Sequence, residues 1–555
     1  MFKKILSIVI ILAMSLTCAY ALVGCDDEFE KIDPNRTQLY VAVKDDGIGR
    51  AWADALDNAY EAYNPNVQVI LSVKNEEYTP QNVRNTISFD GIDVYFLSSA
   101  GSLAGWVNSD LTSDYLLNIT DVITDSTSGD SLEKRLNDAS KPYYNFGTQS
   151  EPAYFGLPYW YASKGLVYDK DLFDRYDLYS LPGYIGIDGI NGTPDDAYGP
   201  DGTQGTPDDG LPPTWTDFKL LLNTMVAYGI TPFTWTGQHD GYFTGWLNSI
   251  WASYEGANDF AINNTFEGTD SQFGQINKNN AYQIIGQTGR YAALKVCEYI
   301  VNNPEYYTQS SFKTANSHTS AQLEYIMSSV DGNTPIAFLV EGGWWENEAK
   351  GSFAEMEAEY GAEYGYGQRN FGLMPAFKFV SGTAGKVDED GIPDQDPDTL
   401  NQFVVNPSVG TDCSLAFVNK HTQVPDIAKD FMKFAFSNDM NAQFTSITGV
   451  MRNFKYEMSP AQIANMTKYA SDVYYYCTAD TSVFSTTSRN PIMANNYSFF
   501  ADGWGSFITW HNDTRYTVPQ KAFYNRSLNA EEYFAGMAYY YTKDKWEGSL
   551  ASYLD

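Results

Sequence analysis

Apolar and polar positions along this chain recur at two periods. TQLYVAV (37–43) reads as a strand, and VQVILSV (67–73) places Val67, Val69, Leu71 and Val73 on one strand face. Between them, in GIGRAWADALDNAYEAYNP, residues Ile48, Trp52, Leu56, Ala59 and Tyr63 recur at helical spacing, and Asn64-Pro65 stops the helix. Strand, helix, strand with short links predicts a βαβ opening. GIDVYFLSSAG (91–101) adds a strand ending at Ser98-Ser99, the carboxyl-edge position where open sheets hold ligand groups.

The grammar then continues with more helix. PPTWTDFKLLLNTMVAYG (212–229) predicts a helix capped by Thr216 and closed by Gly229. TPIAFLVEGGWW (334–345) predicts a buried strand that stops at paired glycines, and CSLAFVNK (413–420) another strand. PDIAKDFMKFAFS (425–437) is amphipathic through Ile427, Phe431 and Phe434, and NAEEYFAGM (529–537) opens on a capping box, Asn529 with Glu532. Two stretches break the pattern. DGINGTPDDAYGPDGTQGTPDDG (188–210) carries the unit D-G-x-x-G-T-P-D-D twice, and VDEDGIPDQDPDT (387–399) is similarly rich in Asp, Gly and Pro; both predict loops.

Composition narrows the function. A chain of 555 residues, 43% hydrophobic, has room for two or more lobes with large cores. A formal charge of −34 leaves no basic stripe to neutralise phosphates, which argues against nucleic-acid binding. The 42 Tyr and 12 Trp exceed what a core needs and suggest a surface built for stacking. Lys3 and Lys4 precede the apolar run Ile5–Met14, and small residues lead to LVGC, Leu22 to Cys25. This is the layout of an export peptide, and its ending resembles the bacterial lipoprotein signal, in which the Cys is acylated. Residues 1–24 are then the signal peptide, Cys25 carries palmitate-type lipid, and 25–36 form a tether. Cys297, Cys413 and Cys477 are far apart and predict neither a disulfide framework nor a zinc site. No later apolar run approaches the ~18 residues of a membrane span.

Several segments, in this order, resemble the solute-binding proteins of bacterial ABC importers, in the carbohydrate-binding, maltose-binding-protein-like group. They are YFGLPYWYASKGLVYDKDLFDRYDL (154–178), LPPTWTDFKLLL (211–222), GITPFTW (229–235), FLVEGGWWENEA (338–349), FGLMPAF (371–377), AFVNKHTQVPDIAKDFMKFAFS (416–437) and GVMRN (449–453). The resemblance implies an α/β, two-lobed, periplasmic-binding-protein-like fold with discontinuous lobes joined by a hinge. Residues 37–156 and 411–448 would build the first lobe. Residues 157–410, with acidic inserts 183–211 and 385–399, and 449–555 would build the second. Gly156-Leu157-Pro158 would then be the crossover, with the neighbouring aromatics facing the cleft. The implied function is a lipid-anchored extracellular receptor, expected as a monomer, that closes on an oligosaccharide and delivers it to the importer's permease subunits, with no catalysis and no organic cofactor. A cell-surface glycoside hydrolase and a glycan-adhesion lectin are the alternatives. The acidic inserts and paired tryptophans depart from the family, so the sugar itself is not carried over.

Sugar recognition needs rings for C–H faces and polar groups for hydroxyls. The candidate stackers are Trp160, Trp235, Trp344 and Trp345, with Tyr159 and Trp246 behind them. Two adjacent tryptophans cannot both face inward from one strand. Asp46, Arg50, Ser98, Ser99, His239, Asp240 and Glu341 are the candidate polar partners. In the doubled loop Asp188, Asn191, Asp195 and Asp196 recur as Asp201, Gln204, Asp208 and Asp209, an oxygen-rich set suited to structural Ca²⁺, with a solvated turn array as the other reading. Asp388, Asp390 and Asp394 form a weaker second set.

Overall fold

The computed structural model describes residues 31–555 apart from 46, 75–84, 98–114, 128, 138–140, 149, 382–387, 401–406, 409–414, 479–489, 491, 494–495, 501–502, 506, 517 and 555. The predicted βαβ opening is present: β1 (Thr37–Lys44), α1 (Ala51–Tyr63) and β2 (Val67–Lys74), followed by β3 (Val94–Leu97). β1 lies between β2 and β3, parallel to both, with Val41 opposite Leu71 on one side and Val94 on the other. The fourth strand of this sheet comes from far along the chain. β9 (Leu415–Val418) pairs antiparallel with β3, setting Leu415 against Leu97. Trp52, Tyr60, Phe96, Phe417 and Phe431 fill the core of this first lobe.

The second lobe is built on β4 (Ala162–Asp169), β5 (Thr231–Thr234), β6 (Ile336–Gly342), β7 (Phe371–Met374) and β8 (Pro407–Ser408), with strand order β8-β4-β6-β5 and β7 added on β4. Because side chains alternate across a strand, β6 feeds two cores. Phe338 and Val340 join Phe218, Phe233 and Trp246 on one face, while Leu339 joins Trp345, Phe353 and Phe371 on the other. Local chemistry sets the helix ends. Helix α1 stops at Asn64, as the Asn-Pro pair predicts, and Asn529 with Glu532 makes the predicted capping box. The helix Trp215–Ala227 is capped by Thr214 rather than Thr216, in a capping box with Asp217. Thr214 is held there by a bridge to Lys378, which fixes an extended residue in front of the first turn.

Two stretches of chain pass side by side between the lobes. Leu157 pairs with Ala416 in the first lobe, and four residues later Tyr161 pairs with Met451 beside the second. Leu157 and Tyr159 pack in the first core and Tyr161 in the core of the second lobe, so the change of lobe falls at Tyr159–Tyr161. Arg452 pins the two strands together. Its buried guanidinium donates to the Tyr159 carbonyl at 2.8 Å and lies 3.7 Å from the Phe444 ring centroid. Burial pulls that guanidinium down to about 9.

Candidate functional site

Strand β6 delivers its chemistry at its carboxyl end. Gly342 and Gly343 end the strand and the two tryptophans diverge. Trp345 turns into the core of the second lobe, fully buried, with its ring 5.0 Å from Phe371. Trp344 folds back over Gly342, so closely that a β-carbon on Gly342 would stand 2.4 Å from Cη2 of the indole. Only a glycine permits this. Trp344 is half-buried and, although it hangs from the second lobe, it packs against the core of the first. Its ring meets Trp160 edge-on at 6.1 Å and Tyr242 edge-on at 6.0 Å.

The helix α2 (His318–Met327) supplies the polar wall. Ser317 caps its start, and helical spacing puts His318 and Gln322 one turn apart on the same side. The Gln322 amide donates to Glu348 at 2.6 Å and to Glu341 at 3.1 Å, while His318 Nε2 lies 3.5 Å from Glu348. The His318 ring runs parallel to Tyr242 at 6.3 Å and sits 5.4 Å from His239. The Lys164 ammonium lies 6.0 Å from the Tyr242 ring centroid. Burial, with the charge of Glu348 beside it, pushes the Glu341 carboxyl well above its ordinary range, although the Gly342 N–H and the Gln322 amide oppose this. Burial and the same two carboxylates raise the Tyr242 phenol, which keeps it a protonated donor. The arrangement offers ring edges and faces beside fixed amide, imidazole and carboxylate groups, the pairing that a sugar's C–H faces and hydroxyls require.

The first lobe reaches this face through the turn after β1. Asn347 donates to the Gly47 carbonyl at 3.1 Å. Of the polar residues predicted near here, Asp46, Ser98 and Ser99 lie outside the described residues, as does Cys25. Arg50 caps α1 and pairs with Asp54 at 2.7 Å on an exposed surface.

Several predicted ligand residues lie in the lobe cores. Tyr159 and Trp345 are fully buried, and Trp235, Trp246 and Glu341 are each 2% exposed. Trp235 packs against Phe243 and Phe312, and Trp246 against Phe233. In the aromatic cluster beside Gly156, Trp160 meets Trp344 at the interlobe face, whereas Tyr154 is buried with its hydroxyl on Glu133 and Phe155 packs against Phe146. Asp240 is tied to Lys521 at 2.6 Å, and His239 is exposed beside His318. Tyr242, His318, Gln322, Asn347 and Glu348 were not among the predicted residues. The i, i+4 spacing of His318 and Gln322 behind a Ser cap was the signal available for two of them.

The two Asp-rich repeats fold alike. Asp195 accepts from the Asp188 N–H at 3.0 Å, and Asp208 from the Asp201 N–H at 3.0 Å. Asp196 accepts from the Gly192 N–H, Asp209 from that of Gly205, and Asn191 donates to the Tyr184 carbonyl. Among the described residues no group of three or more His, Cys, Asp or Glu is placed to hold a metal ion. In the second acidic loop Asp390 takes Trp215 Nε1 and Lys219, Asp388 takes the N–H groups of Asp390 and Ile392, and Asp394 that of Ser381.

Among the described residues, cavities elsewhere include one of about 220 Å³ lined by Asp169, Arg175, Glu363 and Arg369, and one of about 560 Å³ lined by Tyr63, Arg135, Lys433 and Phe434. Among the described residues no helix is long and apolar enough to cross a membrane.

No protein-family model matches the sequence, and no curated protein matches it. Solved structures do match. A protein from work on xylan utilisation by the thermophilic bacterium Caldanaerobius polysaccharolyticus superposes with a TM-score of 0.53 at 13% identity, covering 90% of this chain and 99% of that one. The GacH receptor of Streptomyces glaucescens, solved unliganded and with acarbose, gives 0.52 at 13% identity over 94% and 100%. Apo RafE from Streptococcus pneumoniae gives 0.51 at 12% identity over 93% and 100%. Across nearly its whole length, therefore, the chain has the α/β fold, with two lobes on separate sheets, of the periplasmic-binding-protein type.

Proposed function

We propose that the chain is an extracellular receptor that binds an oligosaccharide between its lobes and hands it to an ABC importer without cleaving it. The observation that carries this reading is the interlobe face itself. Trp160 from the crossing strand and Trp344 from the second lobe meet there edge-on, beside Tyr242, His239 and His318 and the Gln322–Glu348 pair. The neighbouring folds support it, since GacH was solved with acarbose and another matched structure is a maltotriose-binding protein of Thermus thermophilus with maltotriose. The LVGC ending at Cys25 supports a lipid anchor on the outer face of the cell membrane, with the tether 25–36 leading to a monomeric receptor domain. Glu341, although joined to Glu348 through Gln322, is too buried to protonate a glycosidic oxygen, which weighs against the hydrolase.

Calorimetric titration of neutral xylo-, malto- and galacto-oligosaccharides tests the reading, with chromatography of each mixture for products. Saturable binding with the glycan recovered intact supports it. Shortened products would replace it with the hydrolase, and binding with no change in scattering profile would favour the lectin. Calcium on the Asp-rich loops is a separate proposal, supported by the density of carboxylates in the two repeats.

A further inference from the structure

We propose that the groove at the far end of helix α1 is a second carbohydrate site, built on the first lobe alone, that holds a stretch of a neutral polysaccharide chain. Tyr63 is the last residue of α1 and is 60% exposed. Its ring is nevertheless fixed. It stacks on Phe434, near the end of helix α3 (Pro425–Ala435), with centroids 4.9 Å and planes 28° apart. Tyr60 closes on both, 5.9 Å from Tyr63 and edge-on to Phe434 at 5.4 Å. With one face backed by Phe434, Tyr63 leaves the other to solvent. The groove beside these rings measures about 560 Å³, within the roughly 300–1,000 Å³ of small-molecule sites. It is a separate place from the interlobe face. Helix α1 starts just after the turn that meets Asn347, and its 13 residues, at about 1.5 Å each, carry Tyr63 roughly 20 Å away.

The rest of the groove is polar and held in place. Arg135 Nη1 donates to Asn438 Oδ1 at 2.7 Å and Nη2 to the Phe436 carbonyl at 2.9 Å, which leaves three of its five N–H groups without partners among the described residues. The same bond uses the amide oxygen of the exposed Asn438 and leaves its amide N–H groups for a ligand. Asp430 accepts from the Tyr60 hydroxyl through Oδ2, so Oδ1 remains an acceptor. A ring face beside fixed planar donors and a carboxylate suits a sugar, whose C–H face stacks while its hydroxyls bond at the edges. Charge decides against an anionic ligand. Asp125, Asp130 and Asp430 face only two cations in the lining, and Lys433 is already paired with Asp125 at 2.5 Å. Because every lining residue belongs to one lobe, the groove works without lobe closure and stands apart from the receptor reading.

Affinity electrophoresis of the full chain through native gels containing soluble starch, arabinoxylan or galactan tests it, with polygalacturonate as the anionic comparison. At least one neutral polymer should retard the wild type, and polygalacturonate should not. Tyr63→Ala should weaken that interaction about five- to hundredfold, by analogy with base–aromatic stacking, while Tyr63→Phe, which keeps the ring, should retain it. Asn438→Ala should weaken it about two- to tenfold, and Tyr475→Ala, which removes an exposed tyrosine elsewhere, should migrate as wild type does. If Tyr63→Ala fails to fold by circular dichroism, the exposed Asn438 carries the test. Trp344→Ala tells the two sites apart, because retardation by the groove should survive it. Retardation lost with Trp344→Ala but kept with Tyr63→Ala would place the polymer at the interlobe face and overturn the groove. So would a wild type that no neutral polymer retards, or one that polygalacturonate retards as strongly.

Discussion

Replacing the two adjacent tryptophans one at a time should separate binding from stability. Trp345 is fully buried, with its ring 5.0 Å from Phe371 and 5.9 Å from each of Tyr325, Phe353 and Tyr469. A buried indole covers about 200 Å², and at about 25 cal/mol per Å² its removal forfeits roughly 4–5 kcal/mol, in line with about 3–5 kcal/mol for Trp→Ala in a core. At about 2–4 °C per kcal/mol for a lobe of a few hundred residues, Trp345→Ala should lower the melting temperature by on the order of 10 °C. On the receptor reading, the folded fraction should still bind a glycan, with affinity lowered far less than by Trp344→Ala. Trp345→Phe should cost much less, because the indole N–H it removes is buried without an acceptor. Trp344→Ala should do the opposite. Its ring is half-buried at the interlobe face, so the melting temperature should fall only slightly while affinity drops by about 1–3 kcal/mol, judged by analogy with base–aromatic stacking. Differential scanning fluorimetry and titration calorimetry on the same preparations read both quantities. The reasoning is refuted if Trp345→Ala weakens binding with no thermal shift, or if Trp344→Ala melts the lobe and leaves affinity untouched.

Other consequences are open to simpler measurement. Burial raises the Glu346 carboxyl to about 7, against the opposing pull of Thr467 and Lys350. A carboxyl raised in the folded state favours folding while protonated, so this contribution is complete below about pH 4.5 and fades as pH climbs towards 7. It amounts to roughly 3 kcal/mol, and Glu346→Gln should flatten the slope of urea-unfolding stability across that window; an unchanged slope would show that the group is not the source. Gly156 lies where a β-carbon would stand 3.0 Å from the Ala416 carbonyl, so Gly156→Val should destabilise the first lobe by about 1–3 kcal/mol, read as a shift in the urea midpoint. On the calcium proposal, EDTA should lower the melting temperature and added Ca²⁺ restore it. An unmoved transition would leave the Asp repeats as turns held by their own N–H bonds.

Where periodicity and capping chemistry act locally, the sequence was legible. The β1–α1–β2 opening, the Asn64-Pro65 stop and the Asn529 capping box need only neighbouring residues, and each appears as read. Thr214 displaced Thr216 as a cap because a bridge to Lys378, far along the chain, fixed the extended residue. The same limit governed the rings. Trp235, Trp246 and Trp344 all sit near strand ends or helix starts in the sequence, and nothing local says which meets another element. Phe243 and Phe312 enclose Trp235, whereas only Trp344 comes to rest on the opposite lobe. His318, Gln322 and Glu348 were missed for the complementary reason, since their convergence joins a helix to a strand end that the sequence does not place together.

The paired glycines and paired tryptophans act as one device. A ring offered to a ligand is useful in proportion to how little freedom it loses on binding, because each flexible side chain immobilised costs about 0.5–1.5 kcal/mol. Gly342 lets Trp344 fold close against its own backbone, Trp345 anchors the next residue in a packed core, and Gln322 holds Glu348 one helical turn on. Trp344 is thus fixed from both sides before anything binds. Disturbing the ring's seat on Gly342 should therefore cost affinity indirectly, by letting the presented ring wander. Gly342→Ala supplies that case: the added methyl must displace the indole, while Trp345 keeps its core contacts. Affinity should fall with little change in melting temperature, and the residual binding should carry a less favourable entropy. If instead Gly342→Ala binds as wild type does, the ring's fixed pose is irrelevant to recognition and the stacking surface lies elsewhere on the interlobe face.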